Sequence, residues 1–260
     1  MSDIVSIADY KGKHVHIIGI CGASLCGLAD MLQKMGYLVT GSDMKETIFT
    51  PFVKQSGVPY TIGHSVDNVK DADLVVYSSA VPATNIEYAY AKEHGIPLMD
   101  RAELLGQLMQ GYQTAVGVTG CHGKTTITSM IGLMLLRAGL DPTIHLGGVL
   151  DYLGQGGTRL GNSDIMVVEA CEYLDNYLKF HPTIELINNV DFDHPDYFQS
   201  MEQVYESFAN YAALLPQDGI LFGCIDDAQV KKLMAESGKN TISFGLDACA
   251  DWTAADIEYD

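Results

Sequence analysis

Positive charge is what this chain has least of. Fifteen Lys and Arg stand against 33 Asp and Glu, a formal charge of −18, and no basic run occurs along the 260 residues. That balance argues against nucleic acid or an anionic membrane as a main partner; an anionic substrate has to be held by loop amides and one or two local cations. Cysteine pairs at metal or redox spacing are also missing. Cys21, Cys26, Cys121, Cys171, Cys224 and Cys249 form no C-x-x-C and no zinc pattern, and read as free thiols in a reducing cytosol. Cys21, Cys121 and Cys171 fall inside loops singled out below, as reactive thiols or as small buried hydrophobes. No apolar stretch approaches the roughly 20 residues of a membrane span, and MSDIVSIADYKGK has no signal core. The expectation is a cytoplasmic protein without membrane insertion.

What is present is an α/β pattern. The length, nearly twice a typical domain of ~150 residues, predicts two domains, and 47% hydrophobic residues are ample for their cores. His14–Ile20 is a short apolar run, followed by a helix with Leu25, Leu28, Ala29 and Leu32 at helical spacing and a second strand, Tyr37–Thr40, ending in Gly41-Ser42-Asp43. This is a Rossmann-like βαβ unit with an acidic residue closing its second strand. The fingerprint G-x-G-x-x-G is not met, because Cys21 and Ser24 occupy its later glycine positions, which weakens a dehydrogenase reading. Gly19, Gly22 and Gly27 either bring backbone close to a diphosphate, with Asp43 toward hydroxyls, or serve helix–strand packing. A strand over Asp73–Tyr77 ends in Ser78-Ser79, which contact a ligand or cap the next helix. Arg101 has the fork geometry for phosphate or carboxylate, or for a surface ion pair. Gly111 marks the boundary between domains 1–110 and 111–260.

The second domain opens on AVGVTGCHGKTTITS, Ala115 to Ser129: a strand, a glycine loop and a helix. Amides freed by Gly120 and Gly123 would hold a polyphosphate, Lys124 would neutralise its outer phosphates, and the Thr125 hydroxyl would ligate Mg²⁺. Only the second half of the motif is strict, since Val118 stands where a glycine is wanted. A strand over 142–145 and a loop or hairpin over 151–162 follow. The buried strand Asp164–Val168 then drives into Glu169, the candidate Mg²⁺ carboxylate, with Glu172 in reserve. The strand Ile184–Val190 runs into Asp191-Phe192-Asp193-His194-Pro195-Asp196, either a metal or phosphoryl-transfer site or an acidic surface turn. Three loops at equivalent strand ends favour the site. Helices over 201–215 and 227–236 and strands over 219–222 and 241–244 complete the pattern. The text stops in what reads as the start of another strand near Trp252, so a cut is expected.

HVHIIGICGASLCGLA, VTGCHGKTTITSMI, VVEACEYLDNYLKFHPT and NNVDFDHPDYF resemble, in this order and over nearly the whole chain, the successive motifs of the Mur ligases. The resemblance implies a Rossmann-like first domain that binds a UDP-sugar, a P-loop NTPase-like central domain that binds ATP, and an amino-acid domain beyond Asp260. Carried over position by position, Gly120, Cys121, His122, Gly123, Lys124, Thr125, Thr126 and Asn189 bind ATP. Lys124, Glu169 and His194 are catalytic. Thr125, Glu169 and His194 ligate Mg²⁺, for which Mn²⁺ can stand in, and Asp193 shares the last motif. Gly19, Gly22, Ser42, Asp43 and Ser79, joined by Arg101, hold the UDP-sugar. Cys21, Cys121, Cys171 and Pro195 depart from the usual residues without removing a charged group. The implied chemistry is ATP-dependent activation of the lactyl carboxylate of UDP-N-acetylmuramate as an acyl phosphate, attacked by the amine of L-alanine, in a monomer or weak homodimer. A preformed tripeptide in place of L-alanine, or a non-catalytic nucleotide-binding partner, are the alternatives. The chain by itself is expected to bind the UDP-sugar, to bind ATP weakly, and not to turn over.

Overall fold

Val15, Ile17 and Ile18 in the first strand, and Leu74, Val75 and Val76 in the fourth, are completely buried. Strands buried on both faces read as unbroken apolar runs and belong in parallel sheets covered by helices, and that is where the computed structural model, which describes residues 5–150, 156–247 and 249–258, places them. The chain divides into two units, Met1–Leu108 with Thr143–Asn162, and Met109–Pro142 with Ser163–Asp260.

In the first unit, β1 (His14–Ile18), β2 (Leu38–Asp43), β3 (Tyr60–Ile62), β4 (Leu74–Tyr77) and β5 (Leu98–Asp100) form a parallel sheet in the order β3-β2-β1-β4-β5. The connecting helices are α1 (Ala23–Lys34), α2 (Thr50–Ser56), the single turn α3 (Val66–Val69) and α4 (Ile86–Glu93), and α5 (Arg101–Met109) follows β5. The order reverses at β1, so the loops after β1 and β4 diverge there, where open α/β sheets bind ligands. The strand expected over 142–145 is present as β7 (Thr143–His145), and it pairs antiparallel with β8 (Thr158–Arg159) to make a hairpin; of the loop or hairpin expected over 151–162, residues 151–155 lie outside the described residues.

This hairpin belongs to the first unit, not to the second as the chain order implied. The reason is visible at Gly27, where an added Cβ would lie 2.0 Å from Thr158 Oγ1. Helix α1 thus packs on β8 through a missing side chain, and Gly27 serves packing.

In the second unit, β6 (Thr114–Thr119), β9 (Ile165–Glu169), β10 (Ile184–Ile187), β11 (Ile220–Cys224), β12 (Asn240–Gly245) and β13 (Trp252–Thr253) are parallel in the order β13-β12-β11-β10-β6-β9. One face packs Val116, Val118 and Val167 against Ile127, Ile131 and Leu135 of α6 (Lys124–Arg137). A second cluster joins Ile187 and Leu221 to Val204, Phe208 and Ala212 of α7 (Met201–Ala213) and Val230 and Leu233 of α8 (Ala228–Glu236). Asp227 caps α8 through Oδ1, 2.8 Å from the Gln229 N–H, while its Oδ2 accepts the Val190 N–H at 3.2 Å, which ties the segment after β10 to the helix.

The closest approach over this sheet is at Gly117, where an added Cβ would meet the Tyr211 hydroxyl at 2.0 Å. That hydroxyl is buried without a hydrogen-bond partner among the described residues. Gly117→Ala is therefore expected to destabilise the second unit by roughly 1–3 kcal/mol through overpacking. Tyr211→Phe, which removes an unsatisfied group, should be nearly neutral and should recover most of the loss in the double variant. Urea unfolding of the four proteins checks this; equal losses with and without Tyr211→Phe would show that the hydroxyl is not the obstacle.

Candidate functional site

Strand β6 ends at Thr119 and α6 begins at Lys124, so four residues make the turn. Gly120 (φ +139°) and Gly123 (φ +83°) adopt backbone conformations that favour glycine. The loop is clamped from β10's end. Asn189 accepts the His122 N–H on Oδ1 (2.8 Å) and donates from Nδ2 to the His122 carbonyl (2.9 Å), while Asn188 Nδ2 donates to the same carbonyl (3.2 Å). Cys121 Sγ donates to the Asp191 carbonyl (3.0 Å) and accepts its N–H (3.2 Å). Burial pushes the Cys121 thiol up to about 11 and raises Cys171, which disfavours the thiolate form at both and supports packing roles for them.

Lys124 Nζ donates to the carbonyls of Gly120 (2.7 Å) and Cys121 (3.1 Å) and pairs with Glu172 (2.9 Å). On the other side of the helix start, Thr125 Oγ1 donates to Glu169 Oε1 at 2.8 Å. Residues 121–126 and Glu169 line a cleft of about 350 Å³.

His194 stands with Glu172 (Nε2 to Oε1, 3.5 Å) and Asp193 (4.0 Å), its ring against Tyr173. One ligand atom from each of Glu172, Asp193 and His194 lies within 4.8 Å of the others, a set that suits a divalent ion. The residues expected around Mg²⁺ are therefore present but grouped differently: Glu169 goes with Thr125, and the reserve residue Glu172 goes with His194. His194 itself has φ +52°, directly before Pro195.

In the first unit Gly19, Gly22, Ser42, Asp43 and Ser79, expected to hold a UDP-sugar, close or follow β1, β2 and β4. Ser42 is fully buried, and its hydroxyl donates to the Glu87 carboxylate. The amides of the turn are spent within it: Gly19 and Ile20 donate to the Ser42 carbonyl (2.8 and 3.1 Å), Cys21 to Asp43 Oδ2 (2.9 Å) and Gly22 to the Gly19 carbonyl (2.9 Å). The donors without an intrahelical acceptor are those of the next turn, Ala23 to Leu25. Ser79 is exposed, and α4 is capped by Asn85, so Ser78-Ser79 is not its cap.

Arg101 opens α5, near enough to His145 to act on its charge. His145, unforeseen in the sequence, bridges Ser24 Oγ and Thr158 Oγ1, both at 2.8 Å. The Glu87 cluster was equally unforeseen, although His14 and His16 alternating on β1 beside Thr40 and Ser42 on β2 signal one polar face.

Residues 14–113 match the family model described as "Mur ligase family, catalytic domain", and residues 118–260 the "Mur ligase middle domain". The chain is 47% identical over 250 residues to the UDP-N-acetylmuramate–L-alanine ligase of Acetivibrio thermocellus, covering 96% of this chain and 53% of that protein. It is 47% identical over 249 residues to the protein of the same name from Clostridium botulinum, covering 96% and 54%. The chain thus spans about half the length of the curated relatives it matches. Among solved structures it is similar to the UDP-N-acetylmuramate:L-alanyl-gamma-D-glutamyl-meso-diaminopimelate ligase of Neisseria meningitides (TM-score 0.86, 25% identity, 95% of this chain and 82% of that one). It is also similar to the UDP-N-acetylmuramate-alanine ligase of Thermotoga maritima (TM-score 0.81, 28% identity, 93% and 54%).

Two outcomes are expected. Asn189→Ala removes both bonds from its side chain to His122 and should speed amide hydrogen exchange in the 120–123 loop by about tenfold while leaving the melting temperature within a few degrees; unchanged exchange would show that the loop needs no clamp. Burial, and then the Arg101 charge, push His145 from 6.5 down to about 3, so the folded protein holds it neutral. The stability it contributes is present above about pH 6.5 and lost as pH falls toward 3. His145→Gln should accordingly flatten the decline in melting temperature between pH 7 and pH 5, measured by circular dichroism; an unchanged slope would assign that decline to other groups.

Proposed function

The chain belongs to the Mur ligase family, and from that membership we propose that it forms the nucleotide-sugar-binding and ATP-binding part of a ligase that joins L-alanine to the lactyl carboxylate of UDP-N-acetylmuramate, in the cytoplasm, for peptidoglycan precursor synthesis. The observation that carries this reading is Lys124 at the head of α6, flanked by Thr125–Glu169 and by Glu172–Asp193–His194. Identity of 47% to the L-alanine ligases supports the choice of amino acid.

In this proposal the loop amides and Lys124 bind the phosphates of ATP and neutralise the charge that moves as the γ-phosphoryl group passes to the carboxylate. Lys124 has to leave Glu172 to do so, and Glu172 is left to face His194. Thr125 with Glu169, and His194 with Glu172 and Asp193, would hold Mg²⁺ ions, which supply further charge neutralisation to the phosphate oxygens. The first unit holds the UDP-sugar at the ends of β1, β2 and β4, using the first turn of α1. An acyl phosphate so formed is open to attack by the amine, and no base among these residues is assigned to that step.

Lys124→Ala is the test. Mg·ATP affinity should fall at least tenfold, whereas UDP-N-acetylmuramate affinity stays within twofold, because the two ligands use different units. Loss of UDP-N-acetylmuramate binding in the variant would overturn the two-site assignment, and unchanged ATP affinity would overturn the role of the lysine.

A further inference from the structure

Glu87 lies in the first turn of α4 with no exposed surface, and no lysine or arginine is among its described partners. Its carboxylate takes the Ser42 hydroxyl, His64 Nδ1 (3.0 Å), Asn68 Nδ2 (2.7 Å) and the Ser65 N–H (3.1 Å), with His16 Nε2 3.6 Å away. Burial by itself raises such a group, but the bonds from His16, Ser42, Asn68 and Ser65 outweigh it and hold Glu87 down at about 2. A buried anion is costly unless its lone pairs are filled, so the donors around it are held in place by it. They come from β1, β2, α3 and the segment before α3.

Ser42 is held from two sides. Its hydroxyl belongs to Glu87, while its carbonyl accepts the Gly19 and Ile20 N–H groups, and its neighbour Asp43 accepts that of Cys21. Gly22, the next residue, bonds back to Gly19 and caps α1. A continuous series of hydrogen bonds therefore runs from a buried carboxylate to the first turn of α1.

We propose that Glu87 is a positioning residue for the nucleotide-sugar site: by gripping Ser42 it sets the Gly19–Gly22 turn, and through it the amides at the start of α1 that face the diphosphate of the ligand. This rests on the assignment of the UDP-sugar to the first unit. It assigns Ser42 a role through its main chain. A group acting at such a remove changes ligand affinity without touching the ligand, because displacement of a positioned donor by about 1 Å is enough to cost much of its effect.

Calorimetric titration of UDP-N-acetylmuramate into the wild-type chain, Glu87→Gln, Ser42→Ala and the double variant tests this, with Mg·ATP titrated into each as the control for the second unit. Each single substitution should weaken UDP-N-acetylmuramate at least tenfold, the double variant should be no weaker than the weaker single, and Mg·ATP affinity should stay within twofold throughout. Full affinity in Glu87→Gln, losses that multiply in the double variant, or parallel loss of both ligands would each overturn the positioning role. Should Glu87→Gln fail to fold, Asn68→Ala removes one donor to the same carboxylate and should weaken the UDP-sugar about threefold; unchanged affinity there would overturn the proposal equally. A wild-type chain that binds Mg·ATP but not UDP-N-acetylmuramate would remove the site assignment itself, an outcome distinct from the others.

Discussion

Lys124 keeps 12% of its side chain exposed and Glu172 1%, so neither charge could be buried without the other. Removing one partner of such a pair costs about 3–5 kcal/mol, whereas the intact pair contributes little net stability. Its value is in placement. The pair fixes the ammonium at the mouth of a loop whose own carbonyls, Gly120 and Cys121, complete its coordination. Everything else around the loop follows: Asn188 and Asn189 hold its outer edge, Cys121 its inner one, and the same Glu172 carboxylate brings His194 into the group. On the proposed function a phosphate ligand would compete with Glu172 for the lysine, coupling nucleotide binding to the freeing of a carboxylate.

The first unit solves a related problem without a lysine. Glu87 is surrounded by neutral or weakly basic donors, and it organises backbone instead of presenting a charge. In both units a buried carboxylate stands behind the glycine turn that follows the first strand of its sheet. One gives the turn a cation and the other gives it a shape.

The strand–loop–helix unit around Lys124 was legible because it is local: strand, glycines, Lys124-Thr125 and the helix start lie within fifteen residues. The parallel strands were legible as apolar runs, with some ends displaced by three residues, as at β2, which continues through Asp43, and β10, which stops at Ile187. Which acids share a cation was not legible, because Glu169 and Glu172 are three residues apart and only the turn after β9 decides which of them reaches His194. The partner of the Ser42 hydroxyl was not legible, since it is Glu87, 45 positions away, that meets it on the sheet's covered side. The membership of residues 143–162 depended on contacts more than a hundred positions away, Ser24 with His145 and Gly27 with Thr158, which no local pattern encodes.

That excursion has a consequence for how the protein is made. A ribosome delivers the chain from its N-terminus, at about 5–20 residues per second, and domains usually fold as they emerge. Here the first unit cannot be completed by its first 108 residues, because the hairpin that covers Gly27 is translated only after the phosphate loop and its helix. For several seconds of synthesis α1 therefore lacks the strand that covers Gly27 in the folded chain.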